Sequence, residues 1–466
     1  MIKLNHIHQC RSVLTKNLNL SGESRFITDT RKFRMEDSFV AIPGQKVNPL
    51  TLLEPMLSQG CQVVVYEFND ENELIITELK TKYGKTKFIG VESSVTFLQE
   101  LTHEHIKEWR KQRSSNTVFA ISGSNGKTTH KEMLSHILKK INPDKVVATE
   151  KNNNNHLGVP LTLLDVTSST ETVVLELGSN HPGEIKVLCD IAVPNAGLTT
   201  NIGATHLEFF GTEEQVFDEE GYLYHAVMKE TANSGLFLLN MDDKYLSTLR
   251  HETGVVSFST VSPSDIVYHV TKNGVEFVFR GESFEVKNDF ITGTHNKTNL
   301  ATSVLIAYLL YPQLKEVILK VASEFQPTKN RSEWIQKNQT KIFLDAYNAN
   351  PSSMRAALLG FKESLIESGK DMKDALVILG DMNELGEQAP RYHEEIGHYV
   401  SQLGFKNVVF VGRFSSSYHR GCPLGEMRNS ASEFKREFKE KYLDRFPLQF
   451  VKGSRSLQLE SLFDIT

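Results

Sequence analysis

Eight residues, Ser122 to Thr129 (SGSNGKTT), constrain this chain more than any others. They follow an apolar run beginning at Thr117 (TVFAI) and precede a segment with Met133, Leu134, Ile137 and Leu138 on one helical face. A Gly-Lys-Thr turn between a strand and a helix is the setting in which a main chain wraps a phosphate. Glycines at 123 and 126 let amide groups approach phosphate oxygens, Lys127 offsets negative charge, Thr128 offers a hydroxyl to Mg²⁺, and the helix N-terminus adds its dipole. The general pattern asks for a further Gly at position 121, where this chain has Ile121.

Two polar residues downstream gain meaning from that loop. The apolar run ETVVLELG (171–178) delivers Glu176 at a strand end, where a carboxylate can reach the metal of a bound nucleotide. On its own such a Glu is more often a solvated edge residue. TNIGATHLEFFG (200–211) then follows another expected strand with His206 and Glu208. A lone His is usually structural, but one beside a carboxylate at the mouth of a parallel sheet is a candidate metal or phosphate contact. Composition alone makes KNNNN (151–155) a flexible polar loop.

The chain has 466 residues, enough for two or three domains with their own cores. Polar KQRSSN (111–116) and helix-breaking FQPTKNR (325–331) suggest domains at 1–113, 114–326 and 327–466. Beyond the second break, KIFL (341–344), ALVIL (375–379) and NVVFV (407–411) alternate with helix-like segments, which predicts a second α/β unit. Residues 256–290 alternate in a β-like way around a Lys-Asn-Gly turn, which predicts a small antiparallel sheet within the central domain. A net charge of −5, with Lys and Arg spread along the length, argues against a nucleic-acid surface. Cys10, Cys61, Cys189 and Cys422 are far apart and form no CxxC pair, so buried thiols are expected rather than zinc or disulfides. The opening MIKLNHIHQCRSVL has no basic-then-apolar pattern, and no run approaches the roughly 18 apolar residues of a membrane span, so a cytoplasmic protein without membrane insertion is expected.

Taken together, these residues resemble the Mur ligase family, whose central domain carries a T/S-G-T/S-x-G-K-T/S loop, a strand-end Glu and a following His. Ser122 to Thr128 fit that version, which does not use the distant first Gly and so accounts for Ile121. TEKNNNNHLGVPLTLL (149–164) is similar to the family's T-x-x-N-x-N-N-x-x-G-V-P-L-T element, which moves the Asn run from low complexity to substrate binding, with Asn154 and Asn155 as contacts. GTHNKTNLATS (293–303) resembles its H-N-x-x-N segment, placing His295, Asn296 and Asn299 near the base of ATP; the plainer alternative is an ordinary helix cap.

Arg331, LDAYNANPSSM (344–354), LGDMNELGEQAPRYHEEIG (379–397) and VKGSRS (451–456) resemble one branch of the family, which joins D-alanyl-D-alanine to a UDP-N-acetylmuramoyl tripeptide. The resemblance implies a central P-loop-type domain with a mostly parallel sheet, a Rossmann-like C-terminal domain and a smaller α/β N-terminal domain. It implies ATP contacts at Gly123, Ser124, Asn125, Gly126, Lys127, Thr128 and Thr129, joined from the third domain by Arg331, Asp345, Tyr347 and Asn348. Asn350, Pro351, Lys452, Ser454 and Arg455 would shape the phosphate and amino-acid side. In the first domain, ITDTRKFRMEDSFVAIPGQK (27–46) is like the uridine-nucleotide segment, with Thr28, Asp29, Thr30 and Arg31 as candidates. Val47, Asn48 and Pro49 stand where a D-G-H element often follows.

A second departure concerns the metal. The family commonly carries a lysine, made into a carbamate by CO₂, fourteen residues after the motif His; here that position is Glu220. Glu220 already has a carboxylate, so built-in replacement is expected, giving a metal set of Thr128, Glu176, His206 and Glu220 and activity independent of bicarbonate. Neighbouring Glu219 or Asp218 could serve instead, or the ligand could simply be lost. The implied activity is a monomeric, ATP- and Mg²⁺-dependent peptide ligase working through an acyl phosphate, with Lys127, Glu176, His206 and Glu220 as the catalytic set. The alternatives are another Mur or folylpolyglutamate-type amide ligase, or a silent nucleotide-binding protein of the same fold.

Overall fold

Alternation of buried side chains along the strand Thr117–Ser122 explains why the chain builds layers on both sides of it. Phe119 and Ile121 pack with Met133, Leu134, Ile137 and Leu138 of the helix Lys127–Ile141, while Val118 and Ala120 pack on the opposite face with Ile185, Leu188 and Leu223. Both faces of the strand are dry, as a parallel sheet covered by helices requires. The computed structural model describes residues 1–44, 47–261 and 263–464. Gln45 and Lys46 of the uridine-like segment, and Ser262 within 256–290, lie outside the described residues.

The sheet around this strand has seven described strands, all paired in parallel. Thr117–Ser122 lies between Ala196–Thr199 and Thr172–Glu176, so the phosphate loop, Glu176 and the segment leading to His206 all leave the same sheet edge. Ligands of open α/β sheets bind at this carboxyl edge.

The antiparallel sheet expected over 256–290 is smaller than predicted. Val255–Ser259 and Ile266–Val267 extend the parallel sheet instead, and the antiparallel part runs only through His269–Thr271, Gly274–Phe279 and Glu282–Lys287. The reason is visible in burial. Residues 257–259 are buried in succession, whereas 274–287 alternate, with Val275, Phe277, Phe279, Phe284 and Val286 inside. The turn joining the first two antiparallel strands is Lys272-Asn273, just before Gly274.

N-terminal to this unit, Phe26–Ile27, Ser38–Val40, Val63–Glu67 and Lys87–Val91 form a smaller parallel sheet. The helix Ser94–Gln112 belongs to both cores: Phe97, Leu98 and Leu101 pack with this first sheet, Ile106 and Trp109 with the central one. After residue 330 a six-stranded sheet forms, parallel except for its edge strand Glu333–Lys337. The expected runs 341–344, 375–379 and 407–411 are strands of it. The architecture is three-part α/β, as expected. All four cysteines are buried and unpaired. No described helix is long and apolar enough to cross a membrane.

Candidate active site

The phosphate loop is shaped by contacts that only glycine permits. Gly123 has φ +116°, and a Cβ there would lie 2.3 Å from Thr200 Oγ1; Gly126 caps the following helix at φ +83°. Thr200 Oγ1 donates to the Asn125 carbonyl at 2.6 Å, and Asn201 O accepts from Ser124 N at 2.8 Å, so the loop is fastened to the next strand end. Lys127 donates to the Gly123 carbonyl within its own loop.

Next to the loop, Glu176 is buried at the end of its strand. One oxygen accepts from Thr128 Oγ1 at 3.0 Å and from Asn154 Nδ2 at 2.9 Å, while Oε2 is buried without a partner. A buried carboxylate oxygen with no donor is costly, and a cation beside the Thr128 hydroxyl would remove that cost. Thr128 and Glu176 therefore fit a divalent metal. The Asn154 amide packs on Gly178, where a Cβ would come within 2.7 Å, so Gly178 is what lets the Asn run reach Glu176. Asn155 turns inward locally: its Oδ1 accepts from Gly158 N at 2.8 Å and begins the helix Gly158–Leu163.

The loop opens onto a cavity of about 690 Å³ lined from two units. The central unit supplies Ser124 to Thr129, Asn154, Asn155, Glu176, His206, His295, Asn296 and Asn299; the third supplies Arg331, Asp345, Tyr347, Asn348 and Lys452. Arg331 stacks 4.0 Å over the Tyr347 ring. Lys452 is buried, ion-paired with Asp345 and donating to the Asn348 carbonyl at 2.9 Å. Burial lowers the His295 imidazole to about 4, so the ring lining the cavity is neutral at pH 7.

Other expected residues stand elsewhere. Glu220 is not on the cavity wall; it lies behind the loop, accepting from Gly123 N at 2.7 Å with Lys127 Nζ at 3.6 Å. His206 turns its Nδ1 to Glu384 of the third unit at 2.6 Å, which holds the Glu384 carboxyl below its usual range. The set Thr128, Glu176, His206 and Glu220 is thus not gathered around one point, and no cluster of three acidic, His or Cys side chains suited to a metal occurs among the described residues. The physical reason is competition: an amide and an ammonium already occupy the Glu220 carboxylate. Glu219 is occupied too, by Ser179 Oγ and the amides of Gly183 and Ile185.

Asn350 and Pro351 begin the helix Pro351–Glu367, with Asn350 as its cap, and Asn350 Nδ2 donates across to Asn125 Oδ1 at 2.6 Å. Asn125 Nδ2 in turn donates to Ser352 Oγ at 2.8 Å. Ser454 accepts from Asn383 N at 3.0 Å, and Arg455 pairs with Glu460, so neither lines the cavity. Thr28 to Arg31 lie outside it as well, with Asp29 capping the turn Thr30–Lys32 and paired to an exposed Arg31. Sequence reasoning missed Glu384 and Ser352 as contacts between units. Both stand in third-domain segments it had singled out, and nothing in their spacing tells which side chain crosses.

Two family models match the chain: the Mur ligase middle domain over residues 121–307 and the Mur ligase glutamate ligase domain over 330–441, together well over half its length. The chain belongs to the Mur ligase family. This Mur ligase is 28% identical over 451 residues to UDP-N-acetylmuramoyl-tripeptide–D-alanyl-D-alanine ligase of Bacillus subtilis, covering 93% of this chain and 91% of that one. The ligase of the same name from Escherichia coli is 26% identical, with 93% and 92% covered. Among solved structures, MurF from Acinetobacter baumannii superposes with a TM-score of 0.81 at 25% identity, covering 99% of this chain and 98% of that one. MurF from Thermotoga maritima in complex with ADP gives 0.74 at 24% identity, over 95% and 96%, and shares the fold.

Proposed function

We propose that this chain joins D-alanyl-D-alanine to a UDP-N-acetylmuramoyl tripeptide at the cost of one ATP, in peptidoglycan precursor synthesis. It is an ATP-dependent ligase of the MurF type. The observation that carries the reading is one cavity in which a phosphate loop faces Arg331, Asp345 and Lys452 of another unit. A site assembled from two units suits a reaction in which a phosphoryl donor and a separately held acceptor must meet. The reading carries with it a cytoplasmic location and a monomer.

In the reaction, an oxygen of the tripeptide's terminal carboxylate bonds to the γ-phosphorus as the bond to the β-bridging oxygen breaks and ADP leaves. The D-alanyl-D-alanine amine then bonds to the carbonyl carbon of the acyl phosphate, the C–O bond to the phosphorus-bound oxygen breaks so that phosphate leaves with that oxygen and the bonding electrons, and the amine gives up a proton. The loop amides and Lys127 stabilise charge on the transferring phosphoryl group, which is the main demand of such a step. Thr128 and Glu176 would hold Mg²⁺, which when bound neutralises phosphate charge. His295, Asn296 and Asn299 line the cavity, and the H-N-x-x-N resemblance supports a nucleoside beside them. Arg331 and Lys452 offer cations to phosphate or carboxylate. Thr28 to Arg31 are proposed to hold the uridine nucleotide.

The test is release of ADP and phosphate with ATP, Mg²⁺, the UDP-muramoyl tripeptide and D-alanyl-D-alanine, omitting each in turn. Release that needs both acceptor and dipeptide supports the reading. Release that persists without the dipeptide, or no release with either a diaminopimelate or a lysine tripeptide, would overturn it.

A further inference from the structure

Glu220 is among the most deeply buried carboxylates of the molecule, 2% exposed, and it does not line the cavity. Its main chain is fixed first: the Glu220 carbonyl accepts from Ser122 Oγ at 2.8 Å and from Thr199 Oγ1 at 3.3 Å, side chains from the ends of two adjacent strands. The helix Glu213–Glu220 ends there at Gly221, where a Cβ would lie 2.7 Å from the Phe217 carbonyl. Depth and direction of the carboxylate are therefore set by the sheet edge. From that position Oε2 takes the Gly123 amide and Oε1 faces Lys127.

We infer that Glu220 is a positioning residue of the phosphate loop: it pins the Gly123 amide from behind and holds Lys127 by opposite charge until a nucleotide phosphate draws the lysine forward. Both groups are ones the loop needs. The Gly123 amide, once held behind, fixes where the following residues Ser124 to Thr129 face the cavity. Lys127 meanwhile stands between two anions, Glu220 behind and the phosphate in front, and donates to the Gly123 carbonyl while it waits. A buried carboxylate so placed keeps the lysine ordered, at the expense of affinity for a phosphate that must compete for it. Glu176, not Glu220, is the carboxylate on the Thr128 side of the loop.

The inference rests on the reading of the loop as a nucleotide site, and the experiment separates the two. ADP binding to the full chain is measured by calorimetry, first in EDTA and then across a Mg²⁺ titration, for the unaltered chain and for Glu220→Gln. The glutamine oxygen can still accept the Gly123 amide, but the negative charge is gone. The expected result is metal-free ADP bound at least fivefold more tightly by Glu220→Gln, with the Mg²⁺ concentration that half-saturates the effect on ADP binding within threefold of the parent. A Mg²⁺ requirement raised more than tenfold would make Glu220 a metal ligand and overturn the inference, as would metal-free ADP binding that is unchanged or weaker. If Glu220→Gln does not fold, Glu220→Asp replaces it, with tightening in the same direction expected from a withdrawn charge and an unchanged affinity overturning the idea. No ADP binding by the unaltered chain would instead refute the nucleotide site itself.

Discussion

Acid should loosen this protein as pH falls from about 6.5 toward 4, and His393 shows why. The ring is fully buried against Phe414, with Nδ1 2.6 Å from the Ala389 carbonyl and Nε2 2.9 Å from the Met382 amide. A carbonyl only accepts and an amide only donates, so Nδ1 must carry the proton and Nε2 must be bare. A second proton would face the Met382 N–H, and burial accordingly lowers the group from 6.5 to about 4. Because the folded value lies below the unfolded one, the unfolded chain binds the extra proton first. Stability is complete above pH 6.5 and is lost as pH falls toward 4. At pH 5 the difference amounts to roughly 2 kcal/mol for one such group. His105, His130 and His295 are lowered to about 4 by burial too. Calorimetric melting at pH 7, 6 and 5 should show a progressive fall, and His393→Leu, which cannot take the proton, should show a shallower pH slope from a lower start. Identical melting at pH 7 and 5 would refute the reasoning.

Three further outcomes follow from the cavity. Lys127→Ala should lower turnover about a hundredfold, roughly 3 kcal/mol, the scale of losing one preorganised donor; a change under threefold in steady-state assays would remove Lys127 from its role. Asn350→Ala should cost about 1 kcal/mol in melting experiments through the lost cap, whereas Asn350→Asp keeps the cap but not the donor to Asn125, so it should melt like the parent while turnover falls. Gly178→Ala should push the Asn154 amide off Glu176 and raise the Mg²⁺ concentration needed for half-maximal activity, and an unaltered Mg²⁺ curve would count against that arrangement.

Most of the fold was legible because local signals agreed with it. The strand, loop and helix at 117–141, the strand ending at Glu176, and the runs at 341, 375 and 407 all have apolar periodicity that matches their burial. The antiparallel sheet was over-extended because 256–259, which the sequence presents as alternating, pairs in parallel with Leu236–Asn240 and is buried through 257–259. The cavity wall was largely legible too, since Glu176, His295, Arg331, Asp345 and Lys452 come from motifs whose residues act where the chain leaves a strand or enters a helix. Glu220 was not. Counting positions from His206 fixes where a residue falls along the chain, not whether its side chain ends before or behind the loop; that depends on Ser122 and Thr199 grasping its carbonyl. Arg455 stands off the cavity for a related reason: a cation near a phosphate motif is equally available to a local partner, here Glu460.

The helix Ser94–Gln112, about 28 Å long at 1.5 Å per residue, makes the first two units one mechanical piece. Its first half is cemented into one core and its second into the next, with Trp109 Nε1 also donating to the Thr170 carbonyl at 3.2 Å. Cutting the chain at residue 113 would not release a tidy module, because Ile106 and Trp109 would be left as greasy stubs on a bare rod. The third unit meets the central one through side-chain hydrogen bonds such as Asn350 to Asn125 and Trp334 to Thr292, and through the approach of Glu384 to His206. A long lever bolted at both ends joins the first sheet to the central core, whereas the third unit is joined by separate contacts, among them Gly360 against Gly293 and Tyr392 beside the Leu207 and Phe210 cluster.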